Sequence, residues 1–197
     1  MKRVGLALTA AALAHLGCNG RGDRVTFRVK AADVQHQSNS FLKNKQPADS
    51  IEITLPGKLL NPPVAVTLIG RDQADWSTPE HAAQSILSAG TSGDASWVVE
   101  SYVSAERAEV SRRLAQPDAL ERIRNYYRAL GKVSETCSVE INGYRALFLQ
   151  AVDPDGDTTL IAIALAHTPD GWRQTDALAR DDTFEIAWAA LHTGGAR

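Results

Sequence analysis

At Gly131 the spacing of apolar residues changes from every third or fourth position to every second, which limits what this chain can fold into. Upstream, Thr78-Pro79-Glu80 supplies a hydroxyl N-cap, a proline at the first helical position and an acid in the first turn. Ala82, Ala83, Ile86 and Leu87 form the apolar stripe of that helix, and Gly90 ends it. Gly93-Asp94 opens a second helix carrying Trp97, Val98, Tyr102 and Val103, and a short charged helix follows over 105–114. Pro117-Asp118 starts a longer one with Leu120, Ile123, Tyr127 and Leu130 on one stripe. Downstream, Val133, Cys137, Val139 and Ile141 fall on one face of a strand, with Lys132, Ser134, Thr136, Ser138 and Glu140 on the other. Asn142-Gly143 is a two-residue hairpin signal, and turns at Asp153-Pro154-Asp155-Gly156 and Pro169-Asp170-Gly171 separate strands at 144–152, 158–167 and 172–175. The strand at 158–167 is apolar on both faces, which predicts a central position. Asp181 or Asp182 caps a closing helix with Phe184, Ala187, Trp188 and Leu191 on one stripe. Helices followed by an antiparallel meander with tight hairpins make an α+β plan.

The N-terminus carries a different message. Lys2 and Arg3 precede an apolar stretch over 4–16. About 13 such residues make roughly 20 Å of helix, short of a bilayer core of about 30 Å, so the stretch reads as a cleavable export signal over residues 1–17. It ends in Ala14-His15-Leu16-Gly17-Cys18, which resembles the lipobox of bacterial lipoproteins at Gly17 and Cys18 and departs from it at His15 and Leu16. The resemblance implies lipid on Cys18 and a membrane-anchored protein of the cell envelope. Asn19 after the cysteine favours the outer membrane if enterobacterial sorting applies.

Residues 18–75 read as a tether followed by a short β-rich segment, and 76–192 as the main domain. The polar, glycine-rich run 18–24 suits a flexible tether. Val25, Phe27 and Val29 alternate with polar residues as in a strand, 31–50 reads as loop, and strands at 51–55 and 64–69 flank Pro56-Gly57 and Asn61-Pro62-Pro63 turns. Whether they form a separate β element or add to the main sheet is open at this level.

Loss of residues 1–17 takes Lys+Arg from 21 to 19 against 23 Asp+Glu, moving the formal charge from −2 to −4. No basic, aromatic-interleaved run suggests nucleic acid. Of the two cysteines, an acylated Cys18 leaves Cys137 as a lone thiol that burial would protect, whereas a free Cys18 invites a Cys18–Cys137 bridge.

The order of elements over 76–176 resembles the nuclear transport factor 2-like (cystatin-like) superfamily. Its carriers are Thr78-Pro79-Glu80-His81-Ala82-Ala83, Gly93-Asp94, Tyr126-Tyr127 and Asp170-Gly171-Trp172-Arg173. The resemblance implies N-terminal helices seated in the concave face of a strongly curved antiparallel sheet. It implies no single activity, because such folds include isomerases, cyclases, dehydratases and binding modules.

An enzyme of this kind needs an acid or base facing a hydrogen-bond donor inside the cone. Glu135 and Tyr127 are the candidates, with Tyr126, Tyr144, His167 and Asp176 as further polar residues. Glu135 interrupts the apolar face of Val133 and Cys137, so an inward carboxyl would have a raised pKa. Asp153-Pro154-Asp155-Gly156-Asp157 alternates acids as calcium loops do but lacks the Gly and Glu spacing, and reads as a turn. The five histidines share no ligand spacing, so neither metal nor cofactor is expected. The reading is a membrane-anchored binding or assembly domain without catalysis, partnered by the membrane and by a second copy or an envelope protein. The alternative is an isomerase- or cyclase-type enzyme acting on a small hydrophobic molecule, which a cone filled by Trp97, Tyr127 and Phe148 would disfavour.

Overall fold

A computed structural model of the chain describes residues 23–197. Cys18 and the export signal lie outside the described residues. Six strands form one antiparallel sheet in sequence order: β1 (Arg24–Lys30), β2 (Ser50–Ala65), β3 (Lys132–Ile141), β4 (Tyr144–Val152), β5 (Thr158–Thr168) and β6 (Gly171–Gln174). Between β2 and β3 the chain forms α1 (Pro79–Ser92), α2 (Ala95–Glu100), α3 (Arg107–Leu114) and α4 (Ala119–Ala129), and after β6 it forms α5 (Asp182–His192). The protein is α+β.

Local chemistry accounts for several boundaries. Thr78 Oγ1 accepts from the His81 N–H at 3.2 Å, Asp94 Oδ1 from the Trp97 N–H at 3.1 Å, and Asp181 Oδ1 from the Phe184 N–H at 2.9 Å. Each satisfies a donor that the first helical turn leaves open. Asn142 and Gly143 both have positive φ (51° and 83°), as a two-residue turn between twisted strands demands. The second helix stops at Glu100, earlier than its apolar spacing predicts, and Tyr102 instead forms a parallel bridge to Gln174.

β1 and β2 belong to this same sheet. β2 is continuous through Pro56-Gly57 and Asn61-Pro62-Pro63, where the sequence predicted turns. Residues 50–56 pair with β1, and 57–65 pair with β3 across a register slip between Leu59 and Val64. That slip accommodates prolines that cannot donate to a ladder.

The sheet is covered on both faces. Leu147 and Leu149 of β4 with Ile161, Ile163 and Leu165 of β5 pack against Ala82, Ala83, Ile86 and Leu87 of α1. On the opposite face Val25, Phe27, Cys137, Val139 and Phe148 pack against Ile186, Ala187 and Ala190 of α5. The residues of α5 that reach the core are thus shifted from the stripe read in the sequence, and Phe184, Trp188 and Leu191 lie half-buried on its flank. Beyond α5 the chain turns back, and Ala196 bridges Phe27 on the free side of β1.

Candidate functional site

β3 carries the feature that places the site. Glu135 lies opposite Leu149 and Cys137 lies opposite Phe148, so Thr136 is an extra residue in β3, a β-bulge. Side-chain parity inverts there. Val133 and Glu135 face the α1 side, whereas Cys137, Val139 and Ile141 face α5. The single apolar face drawn from Val133 to Ile141 is therefore corrected. Ser138, assigned by alternation to the polar face, moves to the α1 side opposite Lys58 and Leu147.

Glu135 is 4% exposed and its Oε1 has no hydrogen-bond partner. Burial first, and then the negative charge of Glu80, push its carboxyl up to about 7, with Lys58 and Arg145 pulling the other way. Lys58 Nζ and Glu80 Oε1 form an ion pair at 3.0 Å between half-exposed side chains. Beside them opens a cleft of about 460 Å³, whose walls include Pro56, Lys58, Pro79, Glu80, Ser138, Arg145 and Trp172. The cleft sits where the start of α1 meets the sheet.

Tyr127 lies elsewhere. It lines a small, partly open pocket of about 130 Å³ with Ile86, Gly90 and Tyr102. Burial raises the phenol pKa of Tyr127, and that of Tyr102 is pushed up to about 12. Glu135 does not line this cavity, so the two catalytic candidates are not brought face to face. Trp97, Tyr127 and Phe148 do not share one filling cluster either. Trp97 packs with Val98 and Val110, and Phe148 is on the α5 side. The space between α1 and the sheet is filled mainly by aliphatic side chains, with Trp76, Tyr127 and Trp172 packed against them.

The remaining polar residues have ordinary surroundings. Tyr126 is exposed and meets Tyr127 edge-on at 5.4 Å. Tyr144 packs on the α5 side. His167 is exposed and meets Trp172 at 5.0 Å, and Asp176 pairs with Arg113 at 3.3 Å. Asp153 Oδ1 accepts from the N–H groups of Asp155 and Asp157 at 3.0 and 2.9 Å, which closes a turn. Among the described residues, no group of three His, Cys, Asp or Glu is placed to hold a metal. Cys137 is free and buried.

Sequence reasoning missed Lys58, Glu80, Ser138, Arg145 and Trp172 as one group. Arg145 gave one available signal, a charge at the start of a mostly apolar strand.

No known protein family matches the chain by sequence, and no curated protein matches it either. Among solved structures, a Campylobacter jejuni protein provisionally described as an NTF2-like transpeptidase is similar at 14% identity and a TM-score of 0.40, over 50% of this chain and 97% of that one.

Proposed function

We propose that this chain is a cell-envelope lipoprotein, exported by residues 1–17, held on a membrane by lipid on Cys18, and carrying a cystatin-like domain that binds without catalysis. The packed space between α1 and the sheet supports the binding reading, because the pocket that Tyr127 lines is not lined by Glu135 among the described residues. The basic and apolar run before Cys18, the polar run after it and the free, buried Cys137 support the anchor. Asn19 favours the outer membrane.

Intact mass measurement of the protein from the membrane fraction tests the anchor. The expected chain begins at Cys18 and carries the mass of a diacylglyceryl group; an unmodified N-terminus there overturns the reading. The buried Glu135 carboxyl supports the alternative, an isomerase or cyclase acting on a small hydrophobic molecule. That reading requires Glu135→Gln to abolish turnover while the fold is kept.

A further inference from the structure

Three of the four large apolar side chains that stand exposed among the described residues fall close together: Leu59 at 42%, Val64 at 55% and Leu68 at 51%. Pro62, Pro63 and Ala65 are exposed beside them, and no charged residue occurs from Leu59 to Gly70. Single exposed apolar residues are ordinary, but a contiguous uncharged run marks a surface that meets an apolar partner. The run starts on a free edge. β1 reaches along β2 only to Pro56, with one further bond from the Gly57 N–H to the Asp23 carbonyl at 2.8 Å. From Lys58 onward β2 is paired on one side alone, by β3, among the described residues.

We infer that the uncharged run from Leu59 to Leu68 rests in the lipid–water interface of the membrane that carries the anchor, and so fixes which edge of the sheet turns outward. The inference rests on lipid at Cys18. Another strand is poorly matched to this edge. Pro62 and Pro63 have no N–H to offer, and the register slips between Leu59 and Val64, so an added strand would meet a broken ladder. The same prolines suit lipid, because they leave two fewer donors for an apolar medium to strand. The backbone groups that stay open along the edge hold the run at headgroup depth. Both flanking cations are already paired, Lys58 with Glu80 at 3.0 Å and Arg71 with Asp94 and Glu100 at 2.8 and 3.0 Å. The contact is therefore apolar and needs no anionic lipid.

The anchor lies on the right side of the fold. β1 and β2 are antiparallel with Asp23 beside Gly57, so chain ahead of Asp23 departs on the side toward which β2 continues. Asp23 stands five positions after Cys18, a span of at most about 18 Å. At about 3.3 Å per residue, Leu59 lies about 7 Å and Val64 at most about 23 Å beyond Gly57 on that side. β6 forms the other edge of the sheet, where Thr175 Oγ1 donates to Glu106 at 2.6 Å just ahead of α3. A domain resting on the run would hold α3 away from the bilayer.

The full chain, purified from the membrane fraction and reconstituted in phosphatidylcholine vesicles, tests this. Val64→Cys and Ser111→Cys, both at exposed positions, each add a single accessible thiol beside the buried Cys137 and an acylated Cys18, and each is labelled with the fluorophore NBD. With doxyl-labelled lipid in the vesicles, emission from the Val64→Cys label should fall about twofold or more and shift to the blue, while that from Ser111→Cys on α3 stays unchanged. A label at Leu59→Cys should be quenched likewise, and should lose that quenching when Val64→Glu and Leu68→Glu are added. These exposed substitutions should keep the wild-type melting temperature. Chain that floats with the vesicles but shows equal quenching, or none, at positions 64 and 111 overturns the inference and leaves the anchor standing. Quenching at Leu59→Cys that survives the two glutamates overturns it too. Chain that does not float shows that the anchor has failed, and the inference falls with it.

Discussion

Glu135 and Cys137 stand two positions apart on β3 and face opposite sides of the sheet, because the register against β4 slips at Thr136. One is a buried carboxyl under the α1 side and the other a buried thiol under α5. The same slip decides how each responds to its surroundings.

Stability should fall as pH rises through the range set by Glu135. Its carboxyl titrates near 4.5 when unfolded and near 7 when folded. Below the first value both states hold the proton and nothing is lost. Between the two, the folded state holds a proton the unfolded state has released, so unfolding gains with each step upward until the folded carboxyl ionises. Glu135→Gln should match wild type at about pH 4 and exceed it by on the order of 2 kcal/mol at about pH 8. Urea denaturation at the two pH values reads the difference; an equal gain at both would contradict the assignment.

Cys137 should resist thiol reagents in the folded protein. It is 0% exposed, and burial, reinforced by the charge of Glu135, pushes the thiol up to about 12. Ellman's reagent should find no reactive thiol in native buffer and a single one per chain in denaturant if Cys18 carries lipid. A second thiol in denaturant would mean that Cys18 is free.

Gly90→Ala should destabilise the protein although alanine favours helix. A Cβ at Gly90 would stand 2.4 Å from Cδ2 of Tyr127, where α4 crosses α1. Helix propensity alone would give a gain of about 1 kcal/mol, whereas overpacking of this kind costs about 1–3 kcal/mol. Thermal melting decides the sign, and a raised melting temperature would show that Tyr127 can move aside.

Asn39→Ala should release the segment between β1 and β2. The Asn39 side chain is 2% exposed, donates to Glu185 Oε2 at 2.7 Å and to the Asp182 carbonyl at 3.0 Å, and accepts from the Phe41 N–H at 3.0 Å. Removing it takes the donor from Glu185 Oε2, although Oε1 keeps the His36 N–H, at a cost of about 1–3 kcal/mol. Hydrogen exchange should quicken over 34–42 before it quickens in the sheet. Unchanged exchange there would place the latch elsewhere, in the His36–Glu185 contact at 3.1 Å.

Elements written in short range were legible in the sequence. The caps at Thr78, Asp94 and Asp181 and the turn at Asn142-Gly143 each depend on a few neighbouring residues, and the strands β4 to β6 follow from the turns that bound them. What depended on distant pairing was not legible. Pro56-Gly57 and Pro62-Pro63 read as turns because nothing nearby shows that β1 and β3 each take half of one long strand. The bulge at Thr136 leaves no local mark, yet it moves Ser138 into the cleft and separates Glu135 from Cys137. Glu135 was therefore found as a buried acid, while Ser138, Lys58, Arg145 and Trp172, drawn from four strands, were not seen as a group.

The pairing of the last residues with β1 has a mechanical consequence. Thr26 and Arg28 donate to the carbonyls of Arg197 and Gly195 at 2.9 and 2.8 Å, and Arg197 donates back to Thr26 at 3.0 Å, while β2 grips the other side of the strand. Any pull arriving from ahead of Asp23 enters the fold through this strand, which is clamped along both edges. Force directed along its axis loads those bonds in shear, sharing the tension among them rather than peeling them one after another. Trimming 195–197 would leave one clamp, and the domain would yield at a lower force.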